Sequence, residues 1–480
     1  MLGPEFDDLR SHVIPTRSEG VVDERATVPD GTHGTLDLAR IDADALRVVR
    51  RLLSAGHEAY LVGGCVRDLY LQREPKDFDI ATSATPEAIR RLFRNSRIIG
   101  RRFKLAHVFF GSKIIETSTF RAAPPTDGTD DVLITHDNVW GNVEDDARRR
   151  DFTINGLFFD IESQRIVDFV DGLDDLDKRL IRTIGDPELR FREDPVRMIR
   201  AIKFAARLDF RLDAATWQAL LDCAPDITRC SKARVLEEIY KLLRGGSSHR
   251  CFELMLETGL LQYMMPSYVS NYGRGRDELE RVETGCETLS RSAQDEDIAG
   301  SHDDDGPTHP PARLFWRFLD ALDEYVLQTK QVVGNGVLQA ILFAPLVGEE
   351  LSNGQRHRLD RRIESMMTPM GAAMGVSRRD RELARQILMA HRRMVDTSGH
   401  RKRRASLAQR QYFHDALIFL GLAVRATGGG GSELMRWKTL AAAPEPSDEA
   451  SGARGRKRRR RGGRKRPRSA EAPADTARDG

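Results

Sequence analysis

The sequence predicts an α+β protein with a mixed-sheet head, an all-α neck and body, and a disordered basic C-terminal tail. Three observations predict this architecture. Short strand-like and helical segments alternate irregularly up to residue 183, whereas from Ile184 onward apolar residues recur at helical spacing. Residues 454–468 hold eleven Lys or Arg and no acidic residue. Because a chain of 480 residues is too long for one compact core, several domains are expected.

Composition argues against two classes of protein. The longest apolar runs, AILFAPLV and ALIFLGLAV, fall far short of the ~20 residues that a membrane-spanning helix needs, and the first residues lack the apolar stretch of a signal peptide. The five cysteines are an odd number without a Cys-x-x-Cys pair, which argues against a disulfide framework or a zinc site. We therefore expect a cytoplasmic protein with reduced cysteines.

Local patterns predict the elements of the head. Residues 1–40 are polar and aperiodic, as in a flexible arm, and residues 44–57 show the apolar spacing of an amphipathic helix. Thr85 and Pro86 predict the start of another helix, because these residue types favour its N-cap and first position. Strand patterns occupy AYLV (59–62), KDFDIA (76–81), LAHVFF (105–110), KIIETSTF (113–120), DFTINGLFFDI (151–161) and RIVDFVDG (165–172), of which 105–120 reads as a hairpin.

Helical patterns fill most of the remaining chain. They occupy DPVRMIRAIKFAARL (194–208), AATWQALLDCA (214–224), ARVLEEIYKLLRG (233–245), HRCFELMLETGLLQYM (249–264), PARLFWRFLDALDEYVLQ (311–328) and DRELARQILMAHRRMV (380–395). Polar segments at 121–142 and 289–312 are predicted loops. The predicted division is a flexible arm (1–40), a head (41–183), a helical neck (184–250), a helical body (251–440) and a basic tail (441–480).

Asp77 and Asp79 stand two apart in the predicted strand KDFDIA. Alternate side chains of a strand share a face, so both carboxylates are expected to point the same way, with Cα atoms ~6.6 Å apart. Two ionised carboxylates so close repel each other unless a cation lies between them, and oxygen ligands of this kind suit magnesium. An isolated Asp-x-Asp is also compatible with two solvated surface aspartates.

A Gly-Gly turn precedes these acids. Gly63 and Gly64 follow a strand pattern and open a helix, so backbone N–H groups there can approach a phosphate, with Arg67 as a counter-charge. Together with the ordered pieces YLVGGCVRDLYL, PKDFDIAT, IIETSTFR, RRRDFTINGLFFD, IVDFVDGLDDL and REDPVRMIRAIKFAARL, this combination resembles the polymerase-β-like nucleotidyltransferase head that bacterial poly(A) polymerases and CCA-adding enzymes of class II share. The resemblance covers roughly residues 45 to 250.

The resemblance implies an RNA-modifying transferase. The expected reaction is attack by the terminal hydroxyl of an RNA on the α-phosphate of a nucleoside triphosphate, with two Mg²⁺ ions at Asp77 and Asp79. It also implies a third catalytic acid, for which Asp151 is favoured, with Glu116 as a supporting acid. Arg150 is expected to meet phosphate and Asn155 to contact the sugar. A capping aspartate and an exposed strand glutamate are the simpler interpretations of the two further acids.

The segment REDPVRMIRAIKFAAR bears on the nucleobase. Asp194 and Arg197 are three apart, hence expected on one helix face, and Arg200 and Lys203 continue a basic stripe. An aspartate that accepts from an exocyclic amine, beside an arginine that donates to a ring nitrogen, can read a base edge. The resemblance implies that all four contact the incoming nucleotide. An ion pair between Glu193 and Arg197 is the simpler alternative, and both can hold.

Two branches of this family fit the motifs. The segment IIGRRFKLAHVFF (98–110) is similar to one in bacterial poly(A) polymerases, and the basic tail favours tight, salt-sensitive RNA binding without sequence preference. We therefore expect a polynucleotide adenylyltransferase that adds AMP from ATP to RNA 3′ ends and so promotes RNA turnover. A tRNA CCA-adding enzyme and a non-catalytic RNA-binding protein on the same scaffold are the alternatives. The resemblance further implies a monomer without membrane association that meets RNA-decay enzymes and RNA chaperones.

Overall fold

A computed structural model describes residues 36–100, 104–122, 139–269, 310–348, 351, 356–396 and 406–442. Most of the predicted arm, of the predicted loops at 121–142 and 289–312, and of the basic tail lies outside the described residues. Within them, a mixed sheet with short helices precedes a helical remainder. The predicted fold class is confirmed.

The head is built on a seven-stranded sheet. Its strands are β1 (Ala59–Val62), β2 (Asp79–Thr82), β3 (Ser96–Ile99), β4 (Leu105–Phe110), β5 (Lys113–Thr119), β6 (Leu157–Asp160) and β7 (Arg165–Asp168). Their order is β3-β4-β5-β2-β1-β6-β7, in which the β2–β5 pair is parallel and every other neighbouring pair is antiparallel. The predicted hairpin is β4–β5. A second, two-stranded sheet pairs β8 (Leu180–Ile181) with β9 (Arg211–Leu212) and was not predicted.

Short helices pack against the large sheet. They are α1 (Ala43–Ser54), α2 (Gly64–Tyr70), α3 (Pro86–Leu92), α4 (Val143–Arg148) and α5 (Gly172–Asp177). Asp42 caps α1 by accepting from two backbone N–H groups, and Thr85 caps α3 as predicted. The helices α4 and α5 were not predicted, because each is only six residues long and carries mostly polar residues.

Helices make up the neck and body. They are α6 (Pro187–Glu193), α7 (Val196–Leu208), α8 (Ala214–Cys223), α9 (Lys232–Leu243), α10 (Ser248–Glu257), α11 (Leu260–Met264), α12 (Pro266–Tyr268), α13 (Pro310–Thr329), α14 (Asn335–Phe343), α15 (Arg356–Ala373), α16 (Arg378–Val395), α17 (Phe413–Thr427) and α18 (Gly431–Ala442). The single helix predicted over 249–264 is divided into α10 and α11. The physical reason is Gly259, which adopts a left-handed φ of 67°.

One large apolar cluster includes residues of the head, neck and body, from Leu36 to Ala426, and two smaller clusters accompany it. The limits at residues 183 and 250 therefore cross packed side chains and stay predictions. Within the described residues, no helix is both long and apolar enough to cross a membrane. The four described cysteines are unpaired, and three of them, Cys65, Cys223 and Cys251, are buried.

Candidate active site

Four neighbouring strands bring several predicted site residues to one edge of the sheet. β5, β2, β1 and β6 lie in that order. Asp79, the first residue of β2, is in register with Glu116 of β5 on one side and with Val62 of β1 on the other. Gly63 follows Val62 directly, and its N–H donates to the carbonyl oxygen of Leu157 on β6 (2.9 Å). The pairing therefore aligns two carboxylates with the glycine turn.

Asp77 lies outside the strand that was predicted to contain it. β2 begins only at Asp79, so strand alternation does not orient Asp77, and this part of the prediction is wrong. The reason is that β1 ends at Val62, where the chain turns into α2, so β1 offers β2 no partner before Asp79. Asp77 and Asp79 are nevertheless both exposed, and the charge of Asp77 acts on Asp79.

The Asp79 carboxyl titrates far above its ordinary range. Although this residue is open to solvent, the surrounding strand ends crowd the carboxyl and remove part of its hydration. This loss of hydration is the largest cause that raises the pKa of Asp79 to about 6, and the charges of Glu116 and Asp77 raise it further, while Arg150 opposes them. The sheet edge therefore concentrates negative charge, which a cation would relieve.

The donor set fits magnesium. Residues paired across a ladder project to the same face, so Asp79 and Glu116 present their carboxylates together. In the part of the chain that the structure describes, no three His, Cys, Asp or Glu side chains converge closely enough to enclose a metal ion by themselves. A magnesium ion would therefore complete its shell with water and substrate phosphates, which is how Mg²⁺ commonly binds in proteins.

Arg150 supplies a positive charge next to Gly63. Gly63 has a left-handed φ of 72°, and a Cβ at this position would lie 3.2 Å from Nη1 of Arg150. Asp146 anchors Arg150 by accepting from its Nε (3.2 Å) and Nη2 (2.8 Å), and the guanidinium lies 5.1 Å from the centre of the Phe158 ring. A fixed positive charge thus lies beside the glycine turn, where a triphosphate was predicted, and acts on Asp79.

Arg67 and Asn155 lie inside the protein. The side chain of Arg67 is only 3% exposed. It donates to Oδ1 of Asp68 (2.8 and 2.7 Å) and to Oδ1 of Asn155 (2.6 Å), and Nδ2 of Asn155 donates to Asp151 (3.1 Å). A buried cation must be paired, and Arg67 is paired internally. Both side chains are thus engaged inside the protein, with Arg67 Nη2 3.7 Å from the position of a Cβ at Gly64. The roles of Arg67 as a counter-charge and of Asn155 as a sugar contact stay predictions.

Asp151 pairs with the neck helix α7. Its Oδ2 accepts from Nε of Arg200 (2.7 Å), and its side chain is only 10% exposed. Burial alone would raise the pKa of Asp151, but Arg200 and Asn155 lower it to about 2. Of the two further acids predicted from the sequence, Glu116 is thus the neighbour of Asp79, whereas Asp151 connects the head to α7.

Asp194 lies between two helices, before α7 begins at Val196. The prediction that Asp194 shares a helix face with Arg197 is therefore wrong. The reason is Pro195, which disfavours helical geometry at the residue before it and so ends α6. Oδ2 of Asp194 accepts from Nη2 of Arg234 on α9 (2.8 Å), while its Oδ1 is buried and has no hydrogen-bond partner among the described residues.

The two other cations of the predicted base-reading set also have partners. Nη1 of Arg197 donates to Oε2 of Glu193 (3.0 Å) and to the carbonyl oxygen of Arg190 (2.9 Å), so the Glu193–Arg197 ion pair that the sequence suggested is present. Nζ of Lys203 donates to Oε2 of Glu238 on α9 (2.7 Å). Burial works against ionisation of Glu238, but Lys203 and further cations prevail and lower its pKa.

Sequence reasoning missed the supporting residues Asp146, Arg234 and Glu238. Glu238 carried a usable signal, since it lies four residues before the buried Leu242 and hence on the same face of α9, and a buried carboxylate requires a cation nearby. Arg234 and Asp146 carried no such signal. Asp194 is 40 residues before its partner Arg234, and local spacing does not reveal such a contact.

Two family models match this chain. Residues 59–182 match the family described as "Poly A polymerase head domain", and residues 209–270 match the one described as "Probable RNA and SrmB- binding site of polymerase A". The first segment contains the site residues that the head contributes. The site residues of the neck lie outside it. The second contains α8 to α12.

Similar proteins come from both branches of the family. A "Poly(A) polymerase I" of Salmonella typhi is 43% identical over 251 residues, which are 50% of this chain and 54% of that protein. A "CCA-adding enzyme" of Lactobacillus helveticus is 42% identical over 217 residues, which are 45% of this chain and 54% of that protein. The matches thus span little more than half of these relatives' own length.

A solved structure extends the likeness beyond the head. The crystal structure of the Bacillus stearothermophilus CCA-adding enzyme in complex with CTP aligns with a TM-score of 0.55 and 26% sequence identity, covering 82% of this chain and 80% of that one. The likeness therefore includes the helical part as well as the sheet. Over its head and neck, the chain is thus similar to the nucleotidyltransferases named poly(A) polymerase and CCA-adding enzyme.

Proposed function

We propose that this protein adds AMP from ATP to the 3′ ends of RNA. The observation that carries the proposal is the sheet edge on which Asp79 and Glu116 stand beside Gly63 and Arg150. Carboxylates for magnesium next to a glycine turn with a fixed cation are what transfer of a nucleotidyl group requires. The resemblance to proteins named poly(A) polymerase I supports the choice of reaction.

Each group of the site has a role in the proposed reaction. Asp77, Asp79 and Glu116 would hold Mg²⁺, which supplies charge neutralisation and lowers the pKa of the attacking hydroxyl when bound. Gly63 leaves room for the triphosphate, and Arg150 adds a positive charge beside it. Asp151, which was expected to be a third catalytic acid, acts in this proposal as a positioning residue.

The base would lie against the neck. The unpartnered Oδ1 of Asp194 can accept a hydrogen bond from the exocyclic amine of adenine or cytosine, whereas uracil and guanine present a carbonyl oxygen at the corresponding position. Arg197, held by Glu193, would donate to the base. Arg200 and Lys203 are paired with Asp151 and Glu238, so we propose that they contribute charge near the nucleotide and orient their neighbours.

The choice of ATP over CTP rests on the sequence. The GRRFKLAHV segment and the Arg/Lys-rich stretch 454–468 favour an enzyme that extends many different RNA ends. Of the GRRFKLAHV segment, Gly100 and residues 104–108 lie within the described part of the chain, and Leu105 to Val108 form the start of β4, two strands from Asp79. CCA addition to tRNA is the second candidate, favoured by the structural likeness to a CCA-adding enzyme.

Product length tests the proposal. The purified protein is incubated with Mg²⁺ and either an unstructured RNA oligonucleotide or a tRNA lacking its CCA end, with ATP, CTP or both, and products are resolved on a gel. We expect a long ladder on the oligonucleotide with ATP alone and none with Asp79→Ala. The matched control is Glu162→Ala, an exposed acid in the turn between β6 and β7, which should leave the ladder intact.

Two other results would replace the proposal. Addition that stops at three nucleotides, only on tRNA and only with both triphosphates, would identify a CCA-adding enzyme. RNA binding without any metal-dependent turnover of ATP would identify a non-catalytic RNA-binding protein.

The location, oligomeric state and partners of the protein are part of the same proposal. RNA ends and ATP occur together in the cytoplasm, where the protein would act in mRNA processing and turnover as a monomer. RNA-decay enzymes and RNA chaperones are the partners expected there.

A further inference from the structure

A cavity adjoins the carboxylates on the side of β5. Its volume is about 320 Å³, and its wall comprises residues 40–42 before α1, residues 74–78 between α2 and β2, and residues 113–115 at the start of β5. We name it the β5 cavity. Asp77 is part of the wall, and Glu116 follows the wall residue Ile115 directly. The proposed binding of the nucleotide does not use this cavity.

The β5 cavity lies on the opposite side of Asp79 from the proposed triphosphate position. In the sheet, β1 with the glycine turn and β6 lie to one side of β2, and β5 lies to the other. In nucleotidyl transfer the attacking and leaving oxygens stand roughly in line through the α-phosphate. If the diphosphate leaves on the side of Gly63 and Arg150, the attacking hydroxyl must approach from the side of β5.

The wall of the β5 cavity offers one cation without a partner inside the protein. Lys76 is exposed and forms no hydrogen bond or ion pair with any residue that the structure describes. The other two cations of the wall are engaged: Arg40 donates to Gln72 (2.5 Å), and Lys113 donates to Asp42 (2.7 Å). Lys76 is therefore available to a phosphate, one residue from the candidate metal ligand Asp77.

The same wall offers an apolar surface beside the acids. Ile114 is 44% exposed and lines the cavity. Side chains two apart in a strand share a face, so Ile114 lies on the same face of β5 as Glu116. A volume of about 320 Å³ is at the lower end of the ~300–1,000 Å³ typical of ligand pockets. This size suits about one nucleotide.

We propose that the β5 cavity binds the nucleotide next to the reacting 3′ end of the RNA. In this inference, which rests on the proposed function, Lys76 contacts a backbone phosphate and Ile114 packs against a base or ribose. The occupant is recognised by its charge and its apolar base face rather than by base identity, which suits an enzyme that must accept many RNA ends. The cavity would thereby align the terminal hydroxyl with the α-phosphate from the side of β5.

Separate Michaelis constants for the two substrates test this inference. The full chain and its variants are assayed with a short unstructured RNA at saturating ATP, and with ATP at saturating RNA. For Lys76→Glu we expect the KM for RNA to rise about five- to tenfold, the size of one lost charge contact, while the KM for ATP stays unchanged. Lys76→Arg should leave the KM for RNA as it is in the wild type, because it keeps the positive charge.

Salt dependence and a matched control sharpen the test. Lys76→Ala should lower the slope of log affinity for RNA against log salt by about 0.7, as expected for one phosphate contact on a single strand. The control Arg165→Glu reverses an exposed charge on β7, at the far end of the sheet. We expect it to leave both Michaelis constants unchanged.

Four results would overturn the inference. An unchanged KM for RNA in Lys76→Glu would mean that RNA does not use the cavity, and a raised KM for ATP alone would mean that the triphosphate lies there. An equal rise with Arg165→Glu would mean a general effect of charge. A photo-crosslink from the nucleotide next to the RNA terminus to residues 76 or 114 needs no turnover. It should form even in a protein that fails to add AMP, and its absence from RNA-bound protein would equally overturn the inference.

Discussion

At the scale of single residues, charge decides what each side chain does. Asp79 and Asp151 are both aspartates at the head, but their pKa values lie on opposite sides of the ordinary value of 3.8, at about 6 and about 2. Asp79 stands among carboxylates, whereas Asp151 is buried against Arg200. A carboxylate whose ionisation the fold opposes is a candidate for cation binding, whereas the ionisation of Asp151 is stabilised by an ion pair inside the protein.

Asp79→Asn should stabilise the metal-free protein. Because the folded state raises the pKa of Asp79, ionisation costs stability: the full stability is present below about pH 4 and falls as the pH rises towards about 6. Because Asp79 is exposed, solvent screens its interactions with the neighbouring charges. We therefore expect the free energy of unfolding to rise by on the order of 1 kcal/mol or less at pH 7. Thermal unfolding in a chelator at pH 7 and at pH 4 measures the difference.

Magnesium and a distant acid provide the controls for Asp79→Asn. Added Mg²⁺ should raise the Tm of the wild type more than that of the variant, because a bound ligand stabilises the folded state. Glu162→Gln, on the turn between β6 and β7, should change neither value. A variant less stable than the wild type at pH 7 would show that the Asp79 carboxylate is not under electrostatic strain.

At the scale of elements, the conformation of one turn joins the fold to the site. Gly63 ends β1 and opens α2 with a φ of 72°. With a ψ of −123°, this conformation lies outside the left-handed helical region; it is accessible to glycine and costs other residues about 1–3 kcal/mol. The space at Gly63 is also bounded by Arg150. The hairpin glycine Gly111 has a similar φ of 63°, with no atom within 4 Å of an added Cβ.

Gly63→Ala and Gly111→Ala form a matched pair. Both should lose stability, on the order of 1–3 kcal/mol, because both positions require a positive φ that strains alanine. Only Gly63→Ala should also raise the KM for ATP, since its Cβ would displace Arg150. Chemical denaturation and steady-state kinetics measure the two effects. Equal kinetic losses in both variants would show that strain, and not the position of Arg150, controls activity.

The helix α9 supports the residues proposed to contact the base. Arg234→Ala would release Asp194, whose carboxylate accepts a charged hydrogen bond from Arg234. We expect the KM for ATP to rise about tenfold, as for the loss of one charged hydrogen bond. The control Glu237→Ala removes an exposed residue of the same helix that contacts only Lys241 among the ion pairs of the described residues. Equal KM values for the two variants would contradict the role of Arg234.

At the scale of the whole molecule, the helices after residue 310 complete the core of the helices before residue 269. Phe252 of α10 packs against Phe315 of α13 with ring centres 5.4 Å apart. Nε2 of Gln339 on α14 donates to the hydroxyl of Tyr240 on α9 (3.1 Å). Tyr268 lies near Phe315 as well. The helices α9 to α12 therefore pack against helices that come later in the chain.

A chain that ends at residue 269 should not form a stable fold. Each buried aromatic or aliphatic side chain contributes about 1.5–3 kcal/mol, and uncovering several of them approaches the whole net stability of about 5–15 kcal/mol. We expect this fragment to bind a hydrophobic dye and to lack a cooperative thermal transition. A chain ending at residue 442 keeps every described element and should unfold like the full chain. A cooperative transition in the shorter fragment would show that head and neck fold alone.

Local signals in the sequence determined the fold class, the hairpin, the capped starts of helices and the presence of an Asp-x-Asp beside a glycine turn. These features depend on residues that are close together in the chain, so periodicity and residue type suffice to predict them. The resemblance to nucleotidyltransferases added a set of site residues, whose roles stay predictions. Asp77 and Asp194 show that local signals can also fail. Strand pairing begins only after Asp77, and Pro195 ends the helix before Asp194, so neither residue lies in the element predicted to contain it.

Only the tertiary structure decided which of these side chains are neighbours. The parallel pairing of β2 with β5 puts Glu116 beside Asp79, across 37 residues of chain. Packing of the neck against the head buries Arg67 and joins Asp151 to Arg200. The β5 cavity likewise forms where three separate segments meet. The physical reason is that burial and long-range pairing determine the charge environment of a residue. Neither can be predicted from the spacing of the residues in its own motif.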